Sequence, residues 1–317
     1  MVKLAWGVIK AARPKQWIKN FALFAGLVFS GQLNNPQSFW LISQAFIIFS
    51  GLTAATYFLN DVFDIKRDQK HPFKKLRPIA SGIFPAPLAT VFALALIITL
   101  LPFAYHLSPP FFYAAVAYLM LQLLYSAYLK SIILLDVIVI ATGFILRVYA
   151  GIWAVDAHLS VWFLLSVISF ALFLAIGKRR SERTLMEKGA EQHRETLLHY
   201  PPALLDTLTT MFATSAWLTY ALFAFQQPLI SINPNVLEFL GDSSLSFGLP
   251  FTELGEAKYM MMTVPVVIYG VMRYLYAIYE KREGESPEKV LLTDTPLLAS
   301  VVLWLVMVIF INYYLGG

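Results

Sequence analysis

The sequence predicts an all-α polytopic membrane protein with nine transmembrane helices, and three observations carry that expectation. Of its 317 residues, 58% are hydrophobic and only 14% are charged, with a mean hydropathy of +0.66, which is too little polar surface for an ordinary soluble fold. Nine stretches approach the roughly 20 apolar residues that a helix needs to cross a bilayer. They fall at 18–33, 39–59, 87–106, 110–129, 132–152, 160–177, 204–226, 259–279 and 295–314. When successive spans are threaded in alternating directions, 21 of the 24 Lys and Arg residues land on one side. Basic residues in short loops stay cytoplasmic, so the N-terminus is expected inside and the C-terminus outside.

Taken in order, the first basic cluster is Lys3, Lys10, Arg13, Lys15 and Lys19. It has the look of a signal peptide, but Trp17-Ile18-Lys19-Asn20 interrupts the apolar run and no small-residue cleavage site follows, so a retained first helix is expected. Six cations (Lys66, Arg67, Lys70, Lys74, Lys75 and Arg77) follow span two, and Lys130 marks the tight turn after span four. Another six, Lys178, Arg179, Arg180, Arg183, Lys188 and Arg194, follow span six, and Lys281, Arg282 and Lys289 follow span eight. The opposite loops hold only Lys258, while Arg147 and Arg273 lie inside spans. Spans joined by short loops run antiparallel, so residues 1–317 are expected to form a single transmembrane catalytic domain with two long cytoplasmic loops, 60–86 and 178–203. The second loop contains EKGAEQHRETL, the pattern of a short amphipathic helix, whereas the external segment 227–258 reads as irregular.

Several chemistries are excluded. With no cysteine there is no disulfide, thiolate nucleophile or Cys-ligated metal, and the five histidines show neither HxxxH nor HExxH spacing. No Ser-His-Asp set, Walker loop or GxGxxG is present, nothing points to a nucleic-acid partner, and no oligomeric state is indicated.

The chemistry concentrates in residues 60–82, NDVFDIKRDQKHPFKKLRPIASG. On a helix, Asp61, Asp64 and Asp68 stand at i, i+3 and i+7 and share one face. Three anions on one face repel unless a cation sits among them, and oxygen-only ligands favour Mg²⁺ or Mn²⁺. Lys74, Lys75 and Arg77 follow closely and suit a phosphate. The plainer alternative is a solvated loop of mixed charge between two membrane helices.

Three further constellations fall on the same face. Lys19 and Asn20, in RPKQWIKN, are either contacts for an anionic ligand at the membrane surface or topology-setting, snorkelling groups. Lys178, Arg179 and Glu182, in GKRRSE, read either as positive-inside charges or as a phosphate clamp. Tyr125, Lys130 and Asp136 surround the turn after span four, and Arg147 follows about three helical turns later; an ionisable group within a span is a candidate site residue. Arg273, beside Tyr274 and Tyr276, reads as snorkelling. A shared face implies a ligand with a phosphorylated head and a lipid tail among the helices. The chemistry would then rest on charge neutralisation and positioning.

Asn60-Asp61-x-x-Asp64-x-x-x-Asp68 followed by Arg77-Pro78-Ile79-Ala80-Ser81-Gly82 resembles the UbiA superfamily of intramembrane prenyltransferases, as does the count of nine helices. That resemblance implies a UbiA-like bundle in which Mg²⁺ on two Asp-rich motifs binds a polyprenyl diphosphate, the second motif being DxxxD after span six. Here that place reads Lys178-Arg179-Arg180-Ser181-Glu182. Together with RPKQWIKN, HPFKKLRPIASG, GFILRVYAG and GKRRSE, this resembles the phosphoribosyltransferase branch of the family, whose donor is 5-phosphoribosyl 1-diphosphate and whose acceptor is a polyprenyl (decaprenyl-like) phosphate. The roles implied are Asp61, Asp64 and Asp68 for the Mg²⁺–diphosphate with Asn60 orienting them, and Lys74, Arg77, Lys130, Lys178 and Arg179 for phosphates. Glu182 would meet ribose or metal, with Tyr125, Asp136, Arg147 and Lys19 as further substrate contacts. The branch also implies a bacterial plasma membrane, a cytoplasmic active site and a product that feeds cell-envelope glycans. An ordinary UbiA prenyltransferase with an aromatic acceptor stays open as an alternative, as does a transporter of a phosphorylated metabolite.

Overall fold

The computed structural model describes residues 2–70, 74–158, 160–186, 199–227, 252–253, 256–281 and 287–315. The helices in chain order are α1 (Val2–Ala12), α2 (Phe24–Phe29), α3 (Pro36–Phe63), α4 (Ile65–Lys70), α5 (Ala86–Leu107), α6 (Pro109–Ala127), α7 (Leu135–Ala154), α8 (Val161–Met186), α9 (Pro202–Gln226), α10 (Val264–Tyr276), α11 (Pro287–Thr293) and α12 (Thr295–Phe310). A 3₁₀ helix, Pro14–Leu23, joins α1 to α2. The strands among the described residues are the two-residue pair Thr252–Glu253 and Glu256–Ala257.

Three of the long helices, α3, α6 and α12, start where a capping side chain precedes proline or Thr-Pro, because the cap fills an orphan N–H and proline needs no donor in the first turn. Asn35 accepts from the Gln37 and Ser38 amides at 3.0 and 3.4 Å to start α3. Ser108, which closes α5, starts α6, and Asp294 accepts from the Leu297 amide at 3.0 Å to start α12.

Among the described residues, eight helices are long and apolar enough to cross a membrane, and they match the second to ninth expected spans. The exception is 18–33, which folds as the 3₁₀ helix followed by the six-residue α2, so the count of nine is approximate. Span six runs further than expected, since α8 continues to Met186 and carries Lys178, Arg179 and Glu182 on the helix itself. The amphipathic segment 187–197 and residues 228–251 of the external segment lie outside the described residues.

The chain forms two compact units. The first comprises Met1–Leu27, Gln32–His158 and Ala190–Tyr200. In it α3 is the central post, packed by α1, the 3₁₀ helix, α5, α6 and α7. Over half of its apolar window is buried, against 17% for α5, whose side chains are left to face lipid. Ala11, Ala55, Phe58, Ile79, Phe84, Ala89 and Ala93 form one core. Glycine lets the 3₁₀ helix lie against α7: a Cβ on Gly151 would stand 1.9 Å from the Leu23 carbonyl oxygen.

The second unit comprises Val28–Gly31, Leu159–Gly189 and Pro201–Gly317. Here α8 packs along α9, α9 on α10 and α10 on α12, around Phe173, Ala213, Val271, Tyr274, Ile278 and Leu297. Some of its polar groups are joined in a relay: Trp304 Nε1 donates to Tyr220 Oη at 2.7 Å, and Tyr220 lies 2.6 Å from Thr263 Oγ1, which donates to the Met260 carbonyl. Arg273, read as snorkelling, has a definite partner. It forms a two-pronged pair with the buried Asp294 at 2.9 and 3.0 Å, tying α10 to the start of α12.

Gly151→Ala is expected to destabilise the protein by roughly 1–3 kcal/mol or more, because the added methyl has no room against Leu23. The check is a lowered thermal midpoint of the detergent-solubilised variant. An unchanged midpoint would mean that the helices are not in such close contact.

Candidate active site

The acidic stretch begins on the last turn of α3 and continues through one break. Asp64 closes α3, its amide bonding to the Asn60 carbonyl at 3.0 Å, and α4 then carries Asp68. The expected single face is only partly realised, because each carboxylate meets cations from elsewhere in the first unit. Asp61 and Asp68 are almost fully buried. Arg77 Nη1 lies 3.2 Å from Asp61 Oδ1 and 2.7 Å from Asp68 Oδ2, so one guanidinium nitrogen bridges the two. Asp64 instead receives Lys130 Nζ at 2.8 Å. Arg13 Nη2 also donates to Asp61 Oδ1, and its guanidinium lies 4.9 Å above the Tyr57 ring. Asn60 accepts from Ser126 Oγ at 2.9 Å, which orients the amide next to the acidic residues; half-buried Tyr125 precedes Ser126 on α6.

The loop that supplies Arg77 is wound to present it. Lys74 opens a 3₁₀ turn whose carbonyl accepts the Arg77 amide at 2.9 Å, and RPIASG folds back with Ser81 N–H on the Arg77 carbonyl. Gly82 closes that turn at φ +79, a left-handed conformation that glycine adopts without strain.

Asn20 is fully buried, so it is not a surface contact for an anion. It donates to Ser50 Oγ at 3.0 Å and accepts from Arg147 Nε at 2.9 Å. Lys19, beside it on the 3₁₀ helix, is half-buried. Arg147 further donates to the Gly143 carbonyl and to Tyr118 Oη, both at 2.8 Å, and its guanidinium lies 4.7 Å from the Tyr118 ring centre. Among the described residues this buried guanidinium has neutral acceptors and aromatic faces but no carboxylate. Buried Asp136, in the first turn of α7, accepts from Tyr200 Oη at 2.7 Å. Tyr200 in turn accepts from the Leu134 amide, at a residue whose φ of 66 is itself left-handed.

In the second unit, Glu182 draws in both Lys178, at 3.9 Å, and the buried Arg179, as i+4 and i+3 neighbours on α8. Arg180 turns elsewhere: Nε reaches Asp206 Oδ1 at 2.9 Å, and the guanidinium sits 3.7 Å over Tyr279, whose hydroxyl donates to the same Asp206 oxygen. Arg13, Ser126, Tyr200, Asp206 and Tyr279 were not singled out from the sequence. Arg13 opens the RPKQWIKN stretch, in which Lys19 and Asn20 drew the attention, and the others are lone polar residues with no spacing pattern.

The donor set suits a hard divalent cation. Asp61 and Asp68 already converge on one positive nitrogen, and all their donor atoms are oxygen. Among the described residues, however, no three His, Cys, Asp or Glu side chains are gathered as a metal cage. Arginine and lysine hold the carboxylates in this arrangement.

The profile of the UbiA prenyltransferase family matches residues 20–293. The chain belongs to that family. This UbiA-family chain is 32% identical over 314 residues to decaprenyl-phosphate phosphoribosyltransferase of Corynebacterium glutamicum, covering 98% of this chain and 88% of that one. A protein of the same name from Mycobacterium tuberculosis is 37% identical over 228 residues, covering 71% and 76%, and one from Mycolicibacterium smegmatis is 32% identical over 306 residues, covering 95% and 91%. Among solved structures, a UbiA homologue from Archaeoglobus fulgidus bound to DMAPP and Mg²⁺ superposes with a TM-score of 0.66 at 18% identity, covering 95% of this chain and 98% of that one. A digeranylgeranylglyceryl phosphate synthase reaches 0.61 at 17% identity, covering 98% and 99%. At such identities the likeness is one of fold, and the UbiA fold agrees with the helix order described above.

Asn20→Ala removes the Arg147 Nε acceptor and is expected to cost roughly 1.5–3 kcal/mol, the range for a hydrogen bond to a charged group. Denaturation of the purified variant in detergent measures it, and a loss well below that range would mean that the guanidinium finds another acceptor.

Proposed function

We propose that this UbiA-family enzyme transfers a 5-phosphoribosyl group from 5-phosphoribosyl 1-diphosphate to a polyprenyl phosphate, releasing diphosphate. The observation that carries this reading is the set of relatives 32–37% identical, two of them over nearly the whole chain, that bear the name decaprenyl-phosphate phosphoribosyltransferase.

In this reaction an acceptor phosphate oxygen bonds to C1 of the ribose as the C1–O bond to diphosphate breaks, its electron pair leaving with the diphosphate. A phosphate monoester is ionised near neutral pH, so the nucleophile needs no general base. What remains is to hold two highly anionic substrates together and to neutralise the leaving group. Asp61, Asp64 and Asp68 would hold Mg²⁺ or Mn²⁺, which when bound offsets the charge of the leaving diphosphate. Structures of UbiA homologues solved with Mg²⁺ support divalent-metal use.

Asn60, oriented by Ser126, steadies the acidic motif. Arg77 and Lys130 now hold carboxylates, and in the loaded enzyme they hold phosphate oxygens, Arg77 with a fork and Lys130 as a point charge. Lys74, Lys178 and Arg179 serve the remaining phosphates, Glu182 the ribose or metal, and Tyr125 and Lys19 the substrate head. Arg147 and Asp136 support the site from within α7. The chain would act as one catalytic domain in a bacterial plasma membrane, with its N-terminus and active site cytoplasmic and its C-terminus outside, as the one-sided distribution of Lys and Arg supports.

Asp64→Asn is expected to lower turnover by roughly 10²-fold or more, the scale of losing one preorganised electrostatic group, while the protein stays folded. The substrate assignment is tested by incubating the purified protein with Mg²⁺, labelled phosphoribosyl diphosphate and polyprenyl phosphate, and separately with prenyl diphosphate and 4-hydroxybenzoate. Label should enter lipid in the first mixture. Product in the second mixture alone would instead make the chain a prenyltransferase of an aromatic acceptor.

A further inference from the structure

Arg13 sits where α1 ends and the 3₁₀ helix begins, and its backbone adopts φ 52, ψ 59. Side chains with a Cβ avoid this left-handed region, and glycine occupies it at no steric cost. An arginine held there is retained against its own backbone preference. Its side chain makes contacts that tie it to α3. The guanidinium lies over Tyr57, one helical turn before Asp61 on α3, and Nη2 reaches Asp61 Oδ1.

Asp61 Oδ1 is shared between two cations with different duties. Arg77 bridges Asp61 to Asp68 and, in the function proposed above, moves to a phosphate when the donor binds. Arg13 bridges to neither of the other two carboxylates among the described residues, so it stays on Asp61 when Arg77 leaves. Both cations take Oδ1, and among the described residues Oδ2 takes no partner.

We infer that Arg13 is a positioning residue for Asp61, keeping one carboxylate oxygen occupied so that the other is presented to the metal–diphosphate. The inference rests on Asp61 being a metal ligand. A group that orients a ligand is typically worth about 10–100-fold in metal affinity or activity.

The test is titration of the detergent-solubilised full-length protein with Mn²⁺, free ion being read by electron paramagnetic resonance, alongside transfer rates at graded Mg²⁺. Wild type is compared with R13Q, R13K, R13G and D61N. R13Q should weaken Mn²⁺ binding about 10–100-fold and raise the Mg²⁺ needed for half-maximal rate by a like factor. R13K, which retains the charge, should recover part of both. R13G relieves the left-handed strain and keeps the measurement decisive if R13Q folds poorly. Unchanged or tighter Mn²⁺ binding by folded R13Q or R13G, with D61N weakened, would overturn the role of Arg13 alone, since a mere counter-charge repels the metal and its removal strengthens binding. If D61N itself bound Mn²⁺ like wild type, the metal assignment would fall and the inference with it.

Discussion

Three carboxylates crowded at the junction of α3 and α4 are held together because cations from three separate segments close on them. Arg13 comes from the N-terminal joint, Arg77 from the loop after α4 and Lys130 from the turn between α6 and α7. Removing one partner from a buried pair typically costs about 3–5 kcal/mol, because the survivor is left charged and dry. The acidic motif therefore acts as a knot that ties the early part of the chain together. In the function proposed above, a ligand that opens this knot would supply both charges, cation for the carboxylates and anion for the guanidinium and ammonium groups. A metal–diphosphate does both at once.

Much of this was legible from the residues alone. Hydropathy located eight of the long helices, because burial in lipid demands about 20 apolar residues whatever their neighbours are. The spacing of Asp61, Asp64 and Asp68 announced a cluster of carboxylates in need of cations, because like charges at helical intervals are costly, and the structure supplies those cations. What hydropathy did not register is the form of 18–33, where much of the stretch winds as a tighter helix against α7. That contact is decided by Gly151 having no side chain, and no local pattern in 18–33 announces a glycine more than 100 residues away.

Partner choice was the other illegible part. Arg147 stood out in the sequence as an ionisable group within a span, but nothing there showed that its partners are Asn20, Tyr118 and a backbone carbonyl. Arg273 looked like a snorkelling group and is clamped by Asp294, which also caps α12. In the GKRRSE motif, neighbouring arginines have different tasks: Arg179 turns to Glu182 and Arg180 to Asp206 and Tyr279. Charge counting registers such residues as identical, and only the packing of α8 separates them.

The 3₁₀ helix has a mechanical consequence. At about 2.0 Å of rise per residue, the seven steps from Arg13 to Asn20 span about 14 Å. One end of this strut grips Asp61 and the other is pegged by Ser50 and Arg147, with Leu23 pressed on Gly151 just beyond. The same short element is thus anchored at both ends. Changes in the buried peg around Arg147 would thus reach the acidic motif without touching it, and the apolar middle of the first unit would set the alignment of its polar end.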